Sequence, residues 1–298
     1  MQNIRINPWT IAGITDAEGN FNASIVRMQD NRSAKFSVTL SFEIGLNAVD
    51  KILLDNIKST LNVGNISYNS KDNTYRYKVS NIEDLTNYII PHFKKYPLIT
   101  QKGSDFKYFN QIVQIVREKG HLTPKGLQQI VNIKATWNGR LSETLNKSFP
   151  ETKIAPRAET IFSGIPDPYW LSGFTDGEAC FYISIYKSEK SKLGYAIQLV
   201  FKVTQLSRDK NLLVGISEYL SCGRVEDRKT GACDFTVTSF KSHTDNIIPF
   251  FDKYPLQSSK HQNYLAFKKV IEIMKVKGHL SSEGLDEITR LKSEMNKR

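Results

Sequence analysis

The chain is short of cysteine, of paired histidines, of acidic residues relative to basic ones, and of long apolar runs. Each shortage closes off a class of function. Its three cysteines are Cys180, Cys222 and Cys233, an odd number, all in the second half and without metal-ligand spacing. They read as free thiols in a reducing compartment. The five histidines, His92, His121, His243, His261 and His279, include no pair four apart and no H-E-x-x-H. A zinc site built on His and Cys is thereby disfavoured. No apolar run approaches the roughly 20 residues that span a bilayer, and no signal-peptide pattern precedes residue 8.

The acidic shortfall points the other way, toward a partner. There are 41 Lys and Arg against 30 Asp and Glu, a formal net charge of +11 and a pI near 9.4. A basic balance spread along the chain favours a polyanion, nucleic acid ahead of an anionic membrane. In other respects the composition is that of a globular protein, and 298 residues suit two compact units, each able to bury a core.

What is present is a stretch that occurs twice. Residues 7–19 read N-P-W-T-I-A-G-I-T-D-A-E-G, and 167–179 read D-P-Y-W-L-S-G-F-T-D-G-E-A. Asn7 or Asp167 can cap a helix, with Pro8 or Pro168 at its first position. About three turns later each copy reaches a glutamate, Glu18 or Glu178. Gly19 suits a left-handed residue closing the helix, Ala179 less well. Gly13 and Ala17, then Gly173 and Gly177, lie four apart on one helix face, which lets another helix backbone approach. Two such helices packed small face to small face would bring Glu18 and Glu178 side by side.

Alternation follows each copy. Phe21, Ala23 and Ile25 predict one strand, and Phe36, Val38, Leu40, Phe42 and Ile44 a second over 35–45. An amphipathic helix over 47–60 comes next, then short strands near 64–69 and 74–80. Helices near 82–93, 104–118 and 123–136 complete the half. The second half repeats the order: Tyr195 to Val203 match the second strand 159 residues on, and F-D-K-Y-P-L at 251–256 matches F-K-K-Y-P-L at 93–98. A domain-sized period is a duplication rather than a solenoid. The expected fold is α+β: tandem αββαββα units forming two antiparallel sheets related by a pseudo-twofold axis. The expected boundaries are 1–138, a linker over 139–166 that has no counterpart and no clean period, and 167–298.

One face of each sheet is apolar and the other polar. With a basic chain, side chains that both donate and accept suit base edges, Arg and Lys for guanine, Asn and Gln for adenine. The candidates are Asn20, Asn22, Ser24, Lys35, Ser37, Thr39, Ser41, Arg76 and Lys78. In the second half they are Tyr182, Ser184, Tyr186, Gln198, Lys202, Arg224, Arg228, Thr236 and Thr238. Strands of about 8–10 residues at roughly 3.3 Å each span about 26–33 Å. Two sheets would then cover about 20 base pairs of an asymmetric site. Two carboxylates facing a phosphate backbone suggest metal-assisted phosphodiester hydrolysis with Mg²⁺. Lys102 and Lys260, equivalent residues after the two Y-P-L turns, can offset developing charge.

T-I-A-G-I-T-D-A-E-G and L-S-G-F-T-D-G-E-A resemble the signature of LAGLIDADG homing endonucleases, in the single-chain form with two motifs. The resemblance runs over nearly the whole chain. It implies an intron-encoded, organelle-encoded (mitochondrial) enzyme that acts as a monomer and makes a staggered double-strand break in a long DNA target. It makes Glu18 and Glu178 the metal ligands, Mg²⁺ the cofactor with Ca²⁺ or Mn²⁺ able to substitute, and Asp16 and Asp176 structural. F-K-V-T-Q at 201–205 looks like a family segment whose glutamine positions water, so Gln205 joins the catalytic candidates. Leu46 stands in its place in the first half, and Ala179 replaces the motif's last glycine. An RNA maturase that helps its host intron fold is the alternative, with intron RNA as partner. A third reading, a DNA-binding regulator on a degenerate nuclease fold, predicts loss of an acid, and neither acid is lost.

Overall fold

The computed structural model describes residues 5–28 and 36–295. The chain divides into two compact units, Met1–Ile161 and Phe162–Arg298. In the first, helix α1 (Pro8–Glu18) starts where the Asn7 side chain accepts the Trp9 N–H at 2.9 Å and Pro8 takes the first position. Strand β1 (Gly19–Arg27) follows with no loop. β2 (Phe36–Asn47), α2 (Lys51–Leu61), β3 (Asn65–Asn69) and β4 (Thr74–Val79) come next.

The chain then runs helically as α3 through Ile82–Asp84, a wide π-type turn at Leu85–Ile89, and Ile90–Lys95. Pro91 explains the widening, because its ring would crowd the carbonyl four residues back in an ordinary helix. α4 (Gln101–Arg117) and α5 (Pro124–Asn138) follow.

The antiparallel sheet has the order β1-β2-β4-β3. Its register, Phe21↔Phe42 and Phe42↔Val79, puts Phe21, Ala23, Leu40, Phe42, Ile44, Tyr77 and Val79 on one buried face. Phe93 of α3 and Phe109 of α4 pack on Phe21 with ring centroids 5.6 and 5.2 Å away. Each such ring removed from water contributes roughly 2–3 kcal/mol, which is what attaches the helices to the sheet.

Two sequence expectations change here. Gly19 is extended (φ −73°, ψ 154°), not left-handed. Glycine is favoured for closeness instead: a Cβ there would lie 2.5 Å from Thr15 Cγ2. The stretch expected as linker, 139–166, carries helix α6 (Glu143–Ser148) with Leu145 buried, and packs on the first unit through residue 160. Ala155 N–H donates to Thr136 Oγ1 (3.1 Å), Ala158 N–H to the Tyr108 hydroxyl (2.7 Å), and the Ser104 hydroxyl to the Ala158 carbonyl (2.6 Å). Polar anchors of this kind leave no apolar period to read.

The second unit repeats the plan. α7 (Pro168–Glu178) is capped by Asp167, whose side chain accepts the Tyr169 N–H at 2.8 Å. β5 (Ala179–Lys187), β6 (Tyr195–Leu206), α8 (Lys210–Leu220), β7 (Arg224–Asp227) and β8 (Ala232–Val237) give the sheet order β5-β6-β8-β7. α9 runs through Phe240–Ser242, a wide turn at His243–Ile247, and Ile248–Lys253, with Pro249 in the place of Pro91. α10 (Lys260–Lys275) and α11 (Ser282–Glu294) close the unit over Phe181, Phe201, Phe251 and Phe267. Among the described residues, no helix is long and apolar enough to cross a membrane.

Candidate active site and nucleic-acid interface

Each motif helix ends in a small device of three residues. In the first unit the buried carboxylate of Asp16 accepts the Ile99 N–H (3.0 Å), the Thr100 N–H (3.1 Å) and the Thr100 hydroxyl (2.6 Å). Thr100 in turn caps α4 by accepting the Lys102 N–H at 3.2 Å. The start of α4 is thereby tied to the end of α1, and the Lys102 ammonium donates to the carbonyls of Ala17 (3.2 Å) and Gly19. Those two carbonyls flank Glu18, whose side chain is exposed. A cation at the carbonyl end of a helix is favoured by the helix dipole.

The second unit builds the same device from different partners. Asp176 accepts the Gln257 N–H (2.9 Å), the Ser258 N–H (3.0 Å) and the Ser258 hydroxyl. Ser258 Oγ accepts the Lys260 N–H at 3.2 Å. The Lys260 ammonium, 7% exposed, donates to the carbonyls of Thr175 (2.9 Å) and Gly177 (3.2 Å), one turn and one residue before Glu178. Burial pushes the Asp176 carboxyl up to about 6 against the pull of these hydrogen bonds and of Lys260. Glu178 is half-buried.

Gln205 lies at the same end of its sheet. β5 begins where Ala179 pairs with Val203, and β6 runs on past that point, with Gln205 opposite Cys233. In the first unit Gly19 pairs with Ile44, and Leu46 fills the equivalent place opposite Tyr75.

The polar faces follow the strand registers. Asn20↔Glu43, Asn22↔Ser41 and Ser24↔Thr39 share the wet side of the first sheet with Ser37, Arg76 and Lys78. Ser41 is a correction: it is 3% exposed and its hydroxyl donates to Glu43 at 2.8 Å, so it is not open to a ligand. Lys35 lies outside the described residues. In the second sheet Tyr182, Ser184↔Gln198, Tyr186↔Ala196, Lys202↔Thr236 and Arg224↔Thr236 share the polar side, where Val200, opposite Tyr182, is nevertheless buried. Arg228 follows β7 and Thr238 follows β8, each just outside its strand.

Two acids on these faces were not singled out from the sequence. Glu43 is held by Lys78 (2.9 Å) and Arg76 (3.3 Å), and Asp234 by Lys202 (2.9 Å) and Arg228. Outward parity was the available signal for Glu43, but parity alone does not reveal an ion pair.

Among the described residues no three His, Cys, Asp or Glu side chains cluster as a closed metal site. Each unit instead supplies one hard carboxylate, Glu18 or Glu178, at a helix end. That donor set fits Mg²⁺, which keeps several waters and is held by one or two carboxylates together with phosphate oxygens.

The family model described as LAGLIDADG endonuclease matches residues 11–113 and 171–271. The chain belongs to this family. The two matched regions hold the two acid–lysine devices, one each. Among solved structures, the crystal structure of the I-LtrWI LAGLIDADG homing endonuclease bound to target DNA is 48% identical, with 97% of each chain covered and a TM-score of 0.92. I-SmaMI bound to an uncleaved DNA target in the presence of calcium ions is 37% identical, covering 99% of this chain and 100% of that one, with a TM-score of 0.94. A probable intron-encoded endonuclease of Neurospora crassa is 37% identical over 97% of this chain. The chain spans 54% of that protein's length.

Proposed function

We propose that this chain is a site-specific, double-strand DNA endonuclease of the intron-encoded homing type, acting as a monomer in the organelle that encodes it. One observation carries the reading: two motif helices each end in a glutamate, with a lysine ammonium donating to the backbone beside it. The helix dipole alone accounts for a cation there, but it disfavours an acid at the same end.

In this reading Glu18 and Glu178 each hold Mg²⁺ against the DNA, one for each strand. The bound metal would activate water and stabilise the attacking and leaving oxygens. Water adds to phosphorus while the bond to the leaving sugar oxygen breaks, and that oxygen takes up a proton. Lys102 and Lys260 place fixed positive charge where negative charge grows, without rearrangement during the step. Asp16 and Asp176 keep those lysines in place by tying α4 and the start of α10 to the motif helices. Gln205 would orient the water for one strand, and Leu46 cannot do so for the other. The polar sheet faces would read an asymmetric site of about 20 base pairs.

The test is selection of cleaved duplexes from a randomised DNA library, with Mg²⁺ and with EDTA. One long asymmetric consensus, cut in Mg²⁺ and intact in EDTA, is expected. Cleavage that persists in EDTA, or no selected site, contradicts the reading.

A further inference from the structure

A protein surface meant for a polyanion gains nothing in affinity from a carboxylate at its centre, yet each polar sheet face carries one that its partners largely cover, and the second face adds the exposed Glu226 opposite Asp234. The Glu43 side chain is 12% exposed and accepts from Ser41 (2.8 Å), Lys78 (2.9 Å) and Arg76 (3.3 Å). The Asp234 side chain is 10% exposed and accepts from Thr204 (2.6 Å), Lys202 (2.9 Å) and Arg228. Each cluster is one hydroxyl, one carboxylate and two cations. Burial opposes the charge on both acids, but the hydrogen bonds and cations around them overcome it and hold both below the usual carboxylate range.

The duplication makes the pattern more telling. The register pairs Gly45 with Arg76 in one unit and Thr204 with Asp234 in the other. On that frame Glu43 corresponds to Lys202, and Arg76 to Asp234. The ion pair between these two positions has been kept while its signs have been exchanged. Drift would be expected to leave two cations or a broken pair, which a DNA surface tolerates more easily. Keeping one acid at the cost of affinity is what discrimination requires, since specificity is a difference between affinities.

We infer that Glu43 and Asp234 are specificity-determining residues, carboxylate clamps that hold the cations of each sheet in one geometry. The inference rests on the DNA-endonuclease reading above. A guanidinium or ammonium held at fixed donors can match a guanine edge. The same carboxylate repels phosphate, so DNA that does not engage the cations meets a less attractive surface. Removing it should tighten binding to random duplex and loosen the choice of bases beneath that one cluster.

The experiment is site selection from the randomised duplex library by the full chain, by Glu43→Gln and Asp234→Asn, and by Arg76→Gln. Binding to random duplex is measured alongside as a function of salt. Glu43→Gln is expected to lower base preference about tenfold over the few base pairs that Arg76→Gln also affects, leaving the other half-site unchanged. Asp234→Asn should do the same in the opposite half. Random-duplex affinity should rise several-fold, with a salt slope steeper by about 0.9. Unchanged profiles in both acid variants, while the parent chain selects a clear site, overturn the clamp alone. Loss of preference spread evenly over the whole site also overturns it, as does a Glu43→Gln profile that differs in position from that of Arg76→Gln. A parent chain that selects no site overturns the endonuclease reading as well.

Discussion

The two units share a scaffold more faithfully than a chemistry. Cap, proline, motif helix, sheet order and even the wide helical turn before Pro91 and Pro249 are the same in both. The surroundings of the acids are not. Glu18 is exposed whereas Glu178 is half-buried, and the Lys260 ammonium beside it is buried against the carbonyls of Thr175 and Gly177. Gln205 stands in the second sheet where Leu46 stands in the first. A fold duplicated for geometry need not keep equal sites, and the two strands of a target should not be cut at equal rates.

The largest break in the comparison should come from the acids. Glu18→Gln or Glu178→Gln should each lower double-strand cleavage more than about a hundredfold while target binding survives, measured on a supercoiled plasmid carrying the site. Lysine removal follows: Lys102→Ala and Lys260→Ala should each cost about 10²–10³ in single-turnover cleavage with little change in affinity. Lys260→Ala should also lower stability more than Lys102→Ala, because only the former is buried to 7%. Gln205→Leu copies the first unit into the second. It should bring the nicking rates of the two strands closer, by about tenfold or less, and unaltered rates would remove Gln205 from the chemistry.

A further contrast concerns stability rather than activity, near pH 5. Burial pushes His92 in the first unit and His243 in the second down to about 4 from 6.5. His243 has no exposed surface, and its Nε2 is 3.1 Å from the Leu199 carbonyl. Between pH 6.5 and 4 each histidine binds more protons unfolded than folded, so its contribution is complete above 6.5 and is lost on acidification, with Asp176, raised to about 6, offsetting part of that loss. The slope is roughly 1.4 kcal/mol per pH unit for each group, checked by denaturant melts of the parent chain and of His243→Gln, whose slope should be shallower.

What could be read beforehand was whatever depends on spacing. Alternation placed Phe36 to Ile44 on one face, and the caps at Asn7 and Asp167 located both motif helices to the residue. Depth was less legible than direction. Ser41 points to the polar side as its parity says, but neighbouring side chains cover it. Long-range polar bonds were invisible for the same reason: nothing near Lys102 in the sequence announces the Ala17 and Gly19 carbonyls, 85 and 83 residues away. Gly19 looked like a helix-closing glycine because that is glycine's commonest use there, while the controlling fact was contact with Thr15.

The central claim is that Glu18 and Glu178 act together on one duplex through bound metal. A crystal structure of the chain with its selected target and Ca²⁺ tests it most directly. Both carboxylates are expected about 2.3–2.6 Å from cations that also touch the phosphates of opposite strands. Either glutamate turned away from the DNA, or the cations held by other side chains, would contradict it.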